Sequence, residues 1–198
     1  MPHLLHADHA ALMRQLRTLF GQTLADTQTL ALFSMDDANC QLLVSQGGPR
    51  HAVPVLHLLP LGLLPLTQRS FGNALPTAIQ LEVGIMEVED AVMPVARLLP
   101  PDSLLVTQDP LLLALARQAA GQPTLGSHAP TAGQAPDHVT RQAVEALFEQ
   151  LASQASRHYA GHHPHLPTEA RAAAALLVLR EALHHWQQER LYLLPASA

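Results

Sequence analysis

The residues able to do chemistry fall into an acidic set and a histidine set. The acidic set holds Asp36, Asp37 and Asp109 at loop positions beside expected strands, with Glu82, Glu87, Glu89 and Asp90 on an expected helix. In an open α/β sheet, ligands gather outside the carboxyl ends of the strands, which is where Thr107 and Asp109 would lie. Carboxylates clustered there hold a divalent metal through oxygen ligands, so Asp36, Asp90, Thr107 and Asp109 are the candidate catalytic group. Local structure accounts for the same residues without catalysis, Asp109 as a helix N-cap and Glu87 and Asp90 as the solvated face of an amphipathic helix. The histidine set is His158, His162, His163 and His165, with His158 and His162 one helical turn apart, a spacing that places two imidazoles on one metal. No cysteine or carboxylate lies close in sequence to complete a closed site, and histidines at a helix C-terminus are also favoured by the macrodipole. His184 and His185 lie roughly 25 Å away down the returning helix, at about 1.5 Å rise per residue. A divalent metal is the cofactor that both sets suggest.

Other chemistries are excluded. The chain has no lysine, so there is no P-loop lysine, Schiff-base lysine or lysine general base. Its eleven cations are dispersed arginines against a formal charge of −5, which leaves no basic stripe for general nucleic-acid binding. No Gly-x-Ser-x-Gly elbow occurs, no glycine-rich phosphate loop precedes a helix, and Gly47-Gly48-Pro49 is a turn signal. Cys40, the single cysteine, forms no internal disulfide and fits a reducing cytoplasm. The N-terminus carries no secretory pattern, and the most apolar segment, Ala52 to Leu66, is cut by Pro54, Pro60 and Pro65 and is too short to span a bilayer. The stretch Asp90 to Asp109, ending in Leu105-Val106-Thr107-Gln108-Asp109, locally resembles the C-terminal metal-binding part of PIN-type nucleases. The resemblance covers only these residues. The acidic first strand it implies would be the one ending at Asp36, which leaves too little chain before Asp90.

The elements that must position these residues centre on Thr77 to Gly121. Thr77 and Gln80 have capping-box spacing, and Leu81, Ile85, Val88, Val92, Val95 and Leu99 recur on one stripe of a long helix. After Pro100 and Pro101 the run Ser103 to Thr107 reads as a short buried strand. Asp109, Pro110 and Gly121 are the N-cap, first position and C-terminal stop of the next helix. Upstream, Asp8 caps a helix from His9 to Phe20, expected on the outside of the sheet. Three extended runs follow, Thr29 to Met35, Gln41 to Ser45 and His51 to Leu59, separated by turn clusters as in an antiparallel meander. Residues 60–76 are apolar but patternless.

From Gln122 to Pro136 the composition turns to Gly, Pro, Ala, Ser and Thr, as in a linker. Asp137 then caps a helix with a face of Val144, Leu147, Phe148, Leu151 and Ala155. Thr168 and Glu169 start another, with a face of Leu176, Leu179, Leu183 and Trp186. The short connection makes the two helices antiparallel neighbours. The expected fold is α/β, a small mixed sheet of an antiparallel meander plus a crossover strand with flanking helices, followed by a C-terminal helical hairpin. The expected units are an α/β domain over 1–121, a linker over 122–136 and a hairpin over 137–198. Its apolar stripe predicts a soluble cytoplasmic interaction or assembly protein, with the hairpin binding a protein partner or a second copy. The alternative is a small metal-dependent hydrolase or nuclease-like enzyme using the carboxylates around Asp109.

Overall fold

A computed structural model describes residues 8–21, 24–47, 53–128, 136–157 and 166–195. At its centre is a six-stranded mixed sheet in the order β3-β2-β1-β4-β6-β5. The strands are β1 (Leu30–Met35), β2 (Cys40–Ser45), β3 (Val55–Leu59), β4 (Leu104–Thr107), β5 (His138–Thr140) and β6 (Arg190–Leu193). Strands β1 to β3 are the antiparallel meander, with Met35 opposite Cys40 and Cys40 opposite Leu59. Then β4 joins β1 in parallel, β6 joins β4 in parallel, and β5 closes the far edge antiparallel to β6. The third strand starts only at Val55, just after Pro54, as expected of a residue with no N–H to give to a ladder.

Alternation along β1 sorts its side chains onto two cores. Leu30 and Leu32 face one side, where α1 (His9–Phe20) lays Met13, Leu16 and Phe20 over the sheet. Ala31, Phe33 and Met35 face the other side, which every remaining helix covers. These are α2 (Leu63–Arg69), α3 (Ala78–Val92), α4 (Pro110–Ala120), α5 (Arg141–Arg157) and α6 (Ala170–His185). Residues 173–179 of α6 are all buried, because Ala-Ala-Ala-Leu-Leu-Val-Leu is apolar on every side and can be packed all round. The N-terminus of α5 lies beside the C-terminus of α6, where Arg141 donates its backbone N–H to Glu189 and pairs with the Glu189 carboxylate at 2.6 Å. The two helices therefore form the antiparallel hairpin, and β5 and β6 on either side of it complete the same sheet.

Several expectations change in detail. The stripe from Leu81 to Leu99 is not one helix: α3 ends at Val92 and a 3-10 helix runs from Met93 to Leu98. Pro94 explains the change, since it lacks the N–H of an α-helical bond and its ring would crowd the carbonyl of Asp90. Residues 60–76 contain α2, begun by Gly62. Asp137 does not cap α5; its carboxylate accepts the N–H of Gly126 at 2.7 Å, and Thr140 accepts from Ala143 instead. Among the described residues no helix is long and apolar enough to cross a membrane.

Candidate functional site

The carboxyl ends of β1 and β4 are where the sheet topology directs a ligand, and each turn there is built by an aspartate. In the β1–β2 turn, Asp36 Oδ1 accepts the N–H groups of Ala38 and Asn39 at 2.7 and 2.8 Å, and Oδ2 accepts from Gln41 Nε2 at 2.7 Å. The start of α2 presses on this turn, with Leu63 and Leu64 donating to the carbonyls of Asp36 and Asp37. Only glycine fits at position 62, because a Cβ there would come within 2.4 Å of the Asp37 carbonyl oxygen. At the end of β4, Thr107 Oγ1 donates to the Phe33 carbonyl at 2.9 Å and accepts the Asp109 N–H at 3.1 Å. Asp109 Oδ1 then accepts from Leu111 and Leu112, capping α4, while Oδ2 accepts the Met35 N–H at 3.0 Å. Asp109 thus ties the N-terminus of α4 to the end of β1.

A cation also stands at this end. Arg171, in the first turn of α6, reaches Asp37 with Nε at 2.9 Å from Oδ1. The N-termini of α4 and α6 both open here, but on α4 Pro110 has no N–H and Leu111 and Leu112 already donate to Asp109, so the partial positive charge of uncapped first-turn amides stands on α6. On α6 the N-cap residue, Glu169, makes no side-chain bond to those amides. Below the turn, Cys40 lies fully buried on β2; burial first, and then the charges of Asp36 and Asp109, push its thiol far above the ordinary range.

Of the four acidic-site candidates, Asp36, Thr107 and Asp109 meet at this end and Asp90 does not. Asp90 is exposed on α3, and among the described residues the three aspartates of this set do not bring their carboxylates together as a metal group. His158, His162, His163 and His165 lie outside the described residues. The carboxylate and imidazole group that does converge is one the sequence pattern did not single out. Glu89 on α3 and Glu181 and His185 on α6 bring one ligand atom each within 4.8 Å of one another, and such a group is able to hold a divalent metal. The four-residue step from Glu181 to His185 was a usable signal, since it places both on one helix face. The third member comes from another helix and left no trace in local spacing.

No family model matches the chain, and no curated protein does. Solved structures do. The Ppx/GppA phosphatase of Aquifex aeolicus, in its type II variant, superposes with a TM-score of 0.62 at 12% identity, over 90% of this chain and 57% of that one. An exopolyphosphatase from Cytophaga hutchinsonii gives a TM-score of 0.59 at 11% identity, over 94% of this chain and 60% of that one. An exopolyphosphatase-like protein gives 0.58 at 12% identity, over 84% and 55%. The chain shares their fold. It spans somewhat more than half the length of these Ppx/GppA-fold structures. This overturns the interaction or assembly reading. The physical reason lies in the hairpin: the stripe expected to bind a partner or a second copy is buried in the chain's own core, where Leu176, Leu179, Leu183 and Trp186 are all 1% exposed or less.

Proposed function

We propose that this chain is a cytoplasmic phosphohydrolase domain acting on phosphate esters or phosphoanhydrides at the carboxyl ends of β1 and β4. The observation that carries the reading is the fold held in common with the Ppx/GppA phosphatase and the exopolyphosphatase. The local geometry supports it, because the N-terminus of α6, with no side-chain cap, and the guanidinium of Arg171 favour an anion beside them. In this reading Arg171 neutralises and orients the phosphate. Asp37, whose side chain is 63% exposed, takes the proton of the attacking water as its oxygen bonds to phosphorus and the ester or anhydride P–O bond breaks.

The carboxylates at this end oppose a bare phosphate, so the substrate is read as a complex with a hard divalent ion. That ion would screen phosphate charge; Asp37 is kept for the proton, and Asp36 fits poorly as a ligand of the ion, since Oδ1 accepts two backbone N–H groups and Oδ2 the Gln41 side-chain amide. Asp109 fits this part poorly, since both of its oxygens already accept backbone N–H groups.

The test is phosphate release from inorganic polyphosphate and p-nitrophenyl phosphate with Mg²⁺ or Mn²⁺. Release should fall roughly tenfold or more in Arg171→Ala and in Asp37→Asn at unchanged melting temperature. No release from either substrate with either ion would overturn the hydrolase reading. Asp36 and Asp109 place their own carboxylates on the turn and α4 amides, which leaves the α6 end and Arg171 as the place for phosphate.

A further inference from the structure

We propose that Glu89, Glu181 and His185 form a site for one transition-class divalent cation that fastens α3 to α6. The site is separate from the carboxyl end of the sheet. Glu181 comes ten positions after Arg171 on α6, which places the group about 15 Å further along the helix. It does not rest on the hydrolase reading.

Glu181 is the anomaly that leads to it. The residue is fully buried on α6, where an uncompensated carboxylate is expensive. Arg180 Nη1 engages Oε1. Oε2 is buried with no hydrogen-bond partner, and it faces His185 Nε2 at 3.5 Å. From the other side Glu89 Oε1 approaches the same nitrogen at 3.2 Å.

One imidazole nitrogen carries a single N–H and cannot satisfy two carboxylates well. A metal bound to its lone pair can satisfy both. Tetrahedral ligands at the usual N and O bond lengths of 2.0–2.1 Å lie about 3.3 Å apart. The two separations around Nε2 bracket that spacing. The mixed imidazole and carboxylate set selects the zinc, cobalt and manganese class over calcium or magnesium. The two carboxylates match the charge of the ion, and the partial exposure of Glu89 and His185 leaves a face for entry and a water ligand. His184 does not belong to the set, since its Nδ1 turns to Glu145 Oε1 at 3.8 Å.

Cobalt is the probe, added to chelator-treated full-length protein and followed by visible absorption and calorimetry. The expected result is one Co²⁺ per chain with a tetrahedral or five-coordinate spectrum, displaced by Zn²⁺, and a higher melting temperature on binding. Glu181→Gln, Glu89→Gln and His185→Ala should each weaken binding roughly tenfold or more, because each removes a ligand. His184→Ala should bind normally, as should a variant with His158, His162, His163 and His165 all replaced by Ala. If the buried Glu181 variant does not fold, the two partly exposed positions carry the test. Wild-type protein that binds no Co²⁺ overturns the proposal. So does binding that survives His185→Ala and disappears in the four-histidine variant. Phosphate release is not among the readouts, so this inference and the hydrolase reading fail separately.

Discussion

At the scale of single residues, Asp109 shows how one side chain can be half legible. Its role as the cap of α4 follows from Asp-Pro before an apolar run, and that cap is observed. Its second oxygen accepts from Met35, 74 positions away, and no local pattern could announce that bond. Asp109→Ala should therefore cost about 2–4 kcal/mol, a lost cap plus a buried amide left unpaired. Asp109→Asn keeps an acceptor and should cost less, and urea unfolding of the two variants separates the cases. Val88 was legible outright as the middle of an apolar stripe, and it is fully buried. Val88→Asp should lose several kcal/mol or fail to fold. Glu87 receives the hydroxyl of the buried Ser70 at 2.9 Å and meets the exposed Arg69 at 3.3 Å, so Glu87→Ala should cost about 1 kcal/mol. Thermal melts of equal midpoint for these two would contradict the placement of α3. Glu181 and His185 were the converse case. Their meaning depends on Glu89 from a different helix, and sequence reasoning placed His185 only by its distance from other histidines.

At the scale of elements, periodicity identified helices well where one face alone is apolar. The capping box of α3, with Thr77 accepting from Gln80 and Gln80 from Thr77, matches its spacing. Failure came where the pattern was saturated or short. The α6 sequence is apolar on most sides, so the face of Leu176, Leu179, Leu183 and Trp186 is only one stripe of a helix that is surrounded. Strands β5 and β6 have three and four residues, and the sheet neighbours that make them strands lie on each other and on β4. The β1–β2 turn depends on an element that sequence left unassigned, since α2 braces it through Leu63 and Leu64. Gly62→Ala tests that brace. A Cβ among the Asp37 and Ala38 backbone atoms has no flexible neighbour to displace, so stability should fall by about 1–3 kcal/mol. Amide exchange should rise first at Asp36 to Asn39; an unchanged exchange pattern there would mean that α2 does not hold the turn.

At the scale of the whole molecule, one side of the sheet is covered by helices drawn from both halves of the sequence. Trp186 makes the dependence concrete: its ring meets Phe33 of β1 edge-on at 5.1 Å, and its indole N–H donates to the Val92 carbonyl at 2.9 Å. A chain shortened to end at Gly121 loses this residue, two strands and the buried α6. It should give a collapsed or unfolded species, seen as absent near-ultraviolet dichroism and poorly dispersed amide resonances. A cooperative melt from that fragment would show that the first half stands alone.

Cys40 gives the folded molecule a pH dependence of its own. Its folded thiol keeps its proton where an unfolded thiol, at about pH 8.5, begins to lose it. The stability contribution is complete below that pH and falls as pH rises, by about 1.4 kcal/mol per unit from this group alone. Cys40→Ala should flatten that slope. The same burial makes the sulfur a clock. An alkylating reagent can consume it only when the β2 region opens, so at fixed pH the labelling rate divided by that of an unstructured thiol reads the fraction of time spent open. With a single cysteine in the chain, no second thiol blurs the count. Addition of cobalt, or of a phosphate ligand, should slow that clock by as much as each binds the closed form in preference to the open one.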